Sequence, residues 1–351
     1  MRVALVGAGV IAARYAERIV AEDELELAGA TDTAAGRAET LVAAHGGRAY
    51  PSLAALLADD AVETVVNLTV PQAHAEVTAA ALRAGKHVHS EKPLALGYAE
   101  ALALVELAAE QGVRLSAAPA TLLGETQQTL WRQLRDGAIG RVRVAYAEAN
   151  WGRLETWHPD PRSLYAVGPL VDVGVYPLAI LSATLGPVRS ARGYATTVEA
   201  ERVLADGTHF EPGGPDLVTA ALEHEGGAVT RLTASFYVGP SQQRGLELHG
   251  DEGSLFTPTW AESDSPVQRK TRDGEYEPVP LLREPHPGID WGTALLDLAR
   301  ALAEGRPQRS TGEHAAHVVE VLEAVATSAA SGASVPVRSS FPPPEPMEWA
   351  K

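Results

Sequence analysis

The sequence predicts an α/β protein in two parts: a doubly wound parallel sheet first, then an α+β domain built on a large, mostly antiparallel sheet. Three observations carry this expectation. Short apolar, β-branched runs alternate with helical stretches through residue 118, the order that winds a parallel sheet in the right-handed sense. The first run, Arg2–Val6, stops at a glycine-rich turn that opens a helix. From Thr121 onward the segments lengthen and alternate apolar with polar residues, with Glu225-Gly226-Gly227 and Asp273-Gly274 as hairpin turns between them. The domains are accordingly placed at 1–120 and 121–351.

The totals exclude several classes of function. A chain of 351 residues buries a large core, and its net charge of −16 repels phosphate backbones and anionic lipid, so neither nucleic acid nor membrane is an expected partner. Without cysteine there is no disulfide framework and no thiolate metal site. A strand follows Met1 almost at once and no apolar run is of membrane-spanning length, so a cytoplasmic protein is expected.

The glycine-rich turn is Gly7-Ala8-Gly9-Val10-Ile11-Ala12, a G-x-G-x-x-A pattern. Gly7 permits the tight turn, Gly9 lets the backbone approach a pyrophosphate, and Ala12 lets the helix pack closely on the strand. The pattern alone is weak, but here it lies between a strand and a helix. About twenty residues on, a second strand, Leu25–Thr31, ends at Asp32, the position of a ribose-binding acid. Asp32 would repel a 2′-phosphate and favours NAD, whereas Arg37 leaves NADP possible. A third strand, Thr64–Leu68, ends in a turn whose Leu68, Thr69, Pro71 and His74 can line the same cofactor, with Val10 and Ile11 at the helix start.

The strand Lys86–Ser90 runs into Glu91-Lys92-Pro93, where the proline ring keeps Lys92 out of helical geometry. That delivers an ammonium to the carboxyl end of a strand, where ligands of open α/β sheets bind. His87, His89 and Glu91 alternate onto one face, but no further ligand cluster lies near them, so sheet-packed histidines explain the pattern and no metal is expected. The helix Tyr98–Gln111 and the strand Val113–Ala118 complete the first half.

In the second half, Gly168-Pro169 starts a helix through Leu170-Val171-Asp172-Val173-Gly174-Val175-Tyr176-Pro177. Asp172 and Tyr176 are four apart and share a face. Either they form a polar pair on an apolar helix, or Asp172 stabilises the helix start and Tyr176 is a core aromatic; Gly174 points to a close approach on that side. Upstream, Trp151-Gly152-Arg153 and Glu155-Thr156-Trp157-His158-Pro159 form a loop whose aromatic rings suit the faces and hydroxyl rims of a polyol, or simply pack. Two amphipathic helices, Trp291–Ala303 and Glu313–Ser328, pack on the sheet or the seam, and Phe341-Pro342-Pro343-Pro344 begins an extended or disordered tail. The large sheet has one uncovered face, the usual basis for a homodimer or homotetramer.

Residues 84–95, Ala-Gly-Lys-His-Val-His-Ser-Glu-Lys-Pro-Leu-Ala, resemble the most specific motif of the glucose-fructose oxidoreductase and inositol dehydrogenase family of NAD(P)-dependent enzymes. Gly7–Ala12 resembles its nucleotide loop, and Asp172-Val-Gly-Val-Tyr176 its Asp-x-Gly-x-His/Tyr motif. The resemblance in order and spacing takes in Gly250-Asp251-Glu252-Gly253-Ser254-Leu255 and leaves out only Ala205–Pro215 and the tail. It implies a Rossmann dinucleotide-binding domain and hydride transfer between the nicotinamide and a secondary alcohol or ketone of a sugar or related cyclic polyol. It further implies that Lys92 is the essential lysine beside the nicotinamide, Glu91 a neighbour of the cofactor, Asp172 a substrate-orienting or lysine-pairing acid, and Tyr176 the proton acceptor. Lys92, Trp157, His158, Asp172 and Tyr176 would then meet the substrate. Inositol-dehydrogenase-like members carry histidine where Tyr176 stands, so the resemblance leans towards pyranoses or vicinal diols. Two other readings remain at this point: an NAD-dependent glycoside hydrolase working by transient oxidation and elimination, and a non-catalytic NAD(P)-binding regulator, against which Lys92, Asp172 and Tyr176 together argue.

Overall fold

A computed structural model describes all 351 residues, which divide into two compact units. The first unit comprises Met1–Leu123 and Asp290–Val319, the second Gly124–Ile289 and Glu320–Lys351.

The first unit is built on six parallel strands, β1 (Arg2–Val6), β2 (Glu26–Thr31), β3 (Arg48–Ala49), β4 (Thr64–Asn67), β5 (His87–Ser90) and β6 (Leu115–Ala117). Their order, β3-β2-β1-β4-β5-β6, reverses direction between β1 and β4, and that switch point is where open α/β sheets bind ligands. The helices in chain order are α1 (Val10–Val20), α2 (Arg37–His45), α3 (Leu53–Leu57), α4 (His74–Arg83) and α5 (Tyr98–Gln111). In α1 the buried residues are Ala12, Tyr15, Ala16 and Ile19, the one-sided spacing that packs a helix against a sheet. Ser52 caps α3 by accepting the Ala55 N–H at 3.1 Å. The short β3 escaped the sequence reading because two residues give no alternation to see.

The second unit holds α6 (Glu125–Arg135), α7 (Arg162–Val167) and α8 (Val175–Leu185), with eleven strands. They are β7 (Val142–Asn150), β8 (Val188–Thr196), β9 (Arg202–Val203), β10 (His209–Phe210), β11 (Leu217–His224) and β12 (Val229–Ser235), then β13 (Gly245–Gly250), β14 (Gly253–Thr257), β15 (Val267–Thr271), β16 (Glu277–Val279) and β17 (Val335–Pro336). Nine of them form one sheet in the order β16-β15-β14-β13-β7-β12-β11-β8-β17, and β9 with β10 make a separate ribbon. All neighbours in the large sheet are antiparallel except β7 and β12. In β11, Val218, Ala220, Leu222 and His224 are buried while Ala221 and Glu223 are exposed, so one face is covered and the other open.

Three expectations change. Residues 290–319 do not belong with a continuous second domain, because α9 (Thr293–Glu304) inserts Leu295 and Ala299 into the cluster formed by Val3, Leu5 and Ile19. The start of α10 (Gly312–Ser331) adds Ala316 and Val319 to the cluster on the other side of the parallel sheet. The tail is extended rather than disordered: Phe341, Met347 and Ala350 are buried, and the Met347 N–H donates to Gln128 of α6 at 2.9 Å. The helix expected from Gly168 opens instead as a π-helical turn, Leu170–Gly174, before α8.

Candidate active site

The dinucleotide loop is shaped by its glycines and by Asp32. Gly7 has φ +97°, and a Cβ there would lie 2.6 Å from the Leu68 carbonyl oxygen, so only glycine fits between β1 and the end of β4. Nothing lies within 4 Å of a Cβ built on Gly9, which leaves its backbone open to a ligand. Asp32 spends one carboxylate oxygen on the Ala8 N–H and the other on the Ala34 N–H, both at 2.7 Å, tying the loop to the end of β2. Each oxygen keeps a lone pair for a ribose hydroxyl. Val10 is 93 % exposed at the first position of α1, with Ile11 partly exposed beside it, and both stand where a dinucleotide would cover them. Arg37 is exposed at the start of α2 and forms no ion pair with Glu39.

Around Lys92 the neighbours act as braces. The Lys92 side chain is half-buried, and the Lys92–Pro93 peptide is cis. His74, 1 % exposed, lies between the Pro93 carbonyl, 2.6 Å from Nδ1, and the Thr69 carbonyl, 3.0 Å from Nε2, and a neutral ring donates to one of the two, packed between the turn after β4 and the turn after β5. Any effect of His74 on a cofactor therefore runs through the backbone it holds. Glu91 is buried as well, and its carboxylate accepts the Lys92 N–H at 3.0 Å and the Tyr15 hydroxyl at 2.8 Å. A carboxylate only accepts, so the Tyr15 oxygen is left to accept from His89 Nε2–H at 3.3 Å, and His89 Nδ1 accepts from the Ser116 hydroxyl at 2.9 Å. Burial pushes the His89 imidazole down to about 4, which keeps it neutral and suited to this one-way chain. The chain also accounts for the His89 and Glu91 side chains without a metal, and no group of three or more His, Asp or Glu side chains is placed to hold one.

In the second unit the π-helical turn carries Asp172, and Tyr176 follows it in the first turn of α8. The close approach at Gly174 is made by the protein itself: a Cβ there would meet Ala234 of β12 at 3.3 Å and Leu170 at 3.2 Å. Tyr176 is 9 % exposed and starts a row of rings. Its centroid lies 4.9 Å from Trp260, Trp260 lies 5.8 Å from Trp151, Trp151 lies 6.3 Å from Trp157, and Trp157 lies 5.5 Å from His158. Trp260 is buried and donates its indole N–H to the Glu148 carbonyl at 3.2 Å, whereas Trp151 and Trp157 are exposed. Trp260 sits outside any helix or strand, so no periodicity marked it in the sequence.

Beneath the Trp157 loop lies a buried ionic cluster that sequence reasoning also missed. The Arg202 guanidinium, fully buried, pairs with Asp216 at 2.6 Å and Glu155 at 2.9 Å and stacks over the Tyr165 ring at 4.6 Å. Tyr165 donates to Glu155 at 2.5 Å and accepts the Leu154 N–H at 3.2 Å. Burial first, then the hydrogen bond to Glu155, pushes the Tyr165 phenol up. The β9–β10 ribbon, in a stretch with little sequence pattern, is thereby fastened to the loop that presents Trp157 and His158.

Residues 1–118 match the model of the oxidoreductase family with an NAD-binding Rossmann fold, and residues 127–256 match the GFO/IDH/MocA C-terminal domain. The chain belongs to this family of NAD-binding oxidoreductases. Among its relatives is the 1,5-anhydro-D-fructose reductase of Ensifer adhaerens, 28 % identical over 344 residues that cover 96 % of this chain and 98 % of the relative. The dTDP-3,4-didehydro-2,6-dideoxy-alpha-D-glucose 3-reductase of Streptomyces violaceoruber is 32 % identical over 268 residues, 72 % of each chain. The fold matches the aldose-aldose oxidoreductase of Caulobacter crescentus with a TM-score of 0.82 at 21 % identity, over 96 % of this chain and 99 % of the other. The protein is thus an NAD(P)-dependent dehydrogenase or reductase, with a Rossmann unit that binds the nucleotide.

Proposed function

We propose that this enzyme transfers a hydride between the nicotinamide and a secondary alcohol or ketone of a sugar or related cyclic polyol. The observation that carries the reading is the ring row starting at Tyr176: a phenol at a helix start, one turn from Asp172, with aromatic faces leading from it to solvent. Tyr176 is the proton acceptor in oxidation and the donor in reduction. A phenol of ordinary pKa near 10 is a poor base at neutral pH, and an ammonium brought beside it, the role proposed for Lys92, would favour its ionised form. Asp172 orients the substrate hydroxyl, while Trp157 and His158 bound the sugar. The nicotinamide supplies or takes the hydride; Gly7, Gly9, Val10, Ile11 and Asp32 hold its nucleotide, and Leu68, Thr69 and Pro71 line it. Asp32 favours NAD. The enzyme acts in the cytoplasm as a homodimer or homotetramer joined through the open face of the large sheet.

The test is absorbance at 340 nm with NAD or NADP and a panel of pyranoses, cyclitols, diols and aryl glycosides. One sugar or polyol class should reduce NAD, and Lys92→Met should lower turnover by at least about a thousandfold while NAD still binds. Full activity in Lys92→Met would remove Lys92 from the mechanism, and glycoside cleavage without net NADH would replace dehydrogenation by hydrolysis.

A further inference from the structure

A cavity of about 630 Å³ opens beside the aromatic row, within the range of roughly 300–1,000 Å³ that holds small ligands. Trp151 is the shared wall: its ring lines the cavity and also stacks on Trp260, the neighbour of Tyr176. The remaining lining comes from the end of β7, the loop that follows it and the loop joining β12 to β13, with Asn150, Arg153, Tyr237, Gln243 and Arg244 contributing side chains. We propose that this cavity is a subsite for a second sugar ring, so that the preferred substrates are disaccharides or glycosides rather than free monosaccharides. The inference rests on the reading above, in which the reacting ring lies at Tyr176.

The chemistry of the lining selects the ligand. Trp151 and Tyr237 are partly exposed and offer aromatic faces to the apolar face of a pyranose. Asn150 and Gln243 carry both donors and acceptors, which match hydroxyl groups that do both. The charges present are mostly spent: Arg153 pairs with Glu199 at 3.2 Å and stacks over Tyr237, and Glu148 pairs with Arg231 at 2.7 Å. Only Arg244 stands without an ion pair, too little positive charge to recognise a diphosphate, and the polar lining is a poor match for an aryl group. A neutral, hydroxyl-rich ring fits both facts.

The ring steps of 4.9 and 5.8 Å from Tyr176 through Trp260 keep Trp151, the wall of the cavity, within the reach of a disaccharide held at the phenol. A second ring bound there adds affinity without touching the reacting carbon.

The experiment is a tryptophan-fluorescence titration of the full chain with bound NADH, which cannot accept a hydride from a sugar alcohol, using glucose against cellobiose, glucose against maltose, and galactose against lactose. At least one disaccharide should bind about tenfold more tightly than its monosaccharide, and in a Gln243→Ala/Arg244→Ala variant that ratio should fall below about twofold. Ratios near one in the unmodified protein for all three pairs would overturn the proposal, as would a ratio that survives the double substitution. A variant that changes oligomeric state while keeping the ratio would overturn it too, and assign the cavity to a contact between copies. Binding is read without turnover, so failure of the dehydrogenase reading shows separately, in the 340 nm assay.

Discussion

At the scale of single residues, the chain Ser116–His89–Tyr15–Glu91 is the least expected feature of the first unit, since it buries a histidine, a phenol and a carboxylate directly behind Lys92. Its direction is set by Glu91, which can only accept, and it ends on the backbone N–H of the proposed catalytic residue. Tyr15→Phe keeps the ring and removes the link. It should cost roughly 1–3 kcal/mol in urea unfolding because Glu91 and His89 each lose a buried partner, and it should lower kcat about tenfold if Glu91 holds the Lys92 turn in place. Unchanged kcat with the stability loss intact would make the chain purely structural. The depressed His89 pKa gives a further outcome. Unfolded histidine titrates near 6.5 and His89 at about 4, so the unfolded state binds the proton first on acidification. The stabilisation is complete above pH 6.5 and is lost as pH falls towards 4, by roughly 3 kcal/mol in all. Urea midpoints of the unmodified protein and His89→Gln, compared between pH 4.5 and 7, should converge at the acidic end; parallel curves would show that His89 does not titrate this way. The sequence displayed His87, His89 and Glu91 as an alternating set but gave no sign of Tyr15, because its partner is 76 residues distant and joins it only when β5 pairs with β4 and β4 with β1.

At the scale of elements, the segment 151–168, the Trp157 loop with α7, is held by contacts that no local pattern announces. Arg202 comes from a two-residue strand, yet it is the group that neutralises Asp216 and Glu155 where neither meets water freely. Burial alone would lower the Arg202 pKa, but the hydrogen bond to Asp216 and the neighbouring Tyr165 and Glu155 side chains raise it above its ordinary value. Arg202→Met leaves two buried carboxylates without their partner, and the expected cost is roughly 3–5 kcal/mol, read as a lower urea midpoint. A loss below about 1 kcal/mol would mean that water reaches the cluster and the loop is fastened elsewhere. The π-helical turn is the second such case. Residues 170–174 and α8 are apolar enough to read as one helix, and the widened turn arises where Gly174 meets Ala234 of β12, a neighbour the local sequence does not contain.

At the scale of the whole molecule, the open face of the large sheet carries Arg189, Arg192, Tyr194, Glu223 and Arg231 rather than a continuous apolar surface. An assembly through that face is held by charged and aromatic pairs and should weaken with salt. Light scattering at low ionic strength should give two or four times the chain mass of 36.9 kDa, with dissociation at higher salt. A monomer under both conditions would remove the sheet as an assembly surface. No helix is long and apolar enough to cross a membrane.

The sequence by itself determined the parallel sheet, the dinucleotide loop and the placement of Lys92 just past the end of a strand, because each is written in a short span: a strand and a turn obey local rules of period, glycine and proline. It also determined the largely antiparallel character of the second sheet through alternation and hairpin turns. Only the tertiary structure decided that residues 290–319 pack with the first unit, that Trp260 links Tyr176 to Trp151, and that Arg202 fastens the Trp157 loop. Those contacts join residues far apart in the chain, where burial and charge pairing choose the partner and no local preference records the choice.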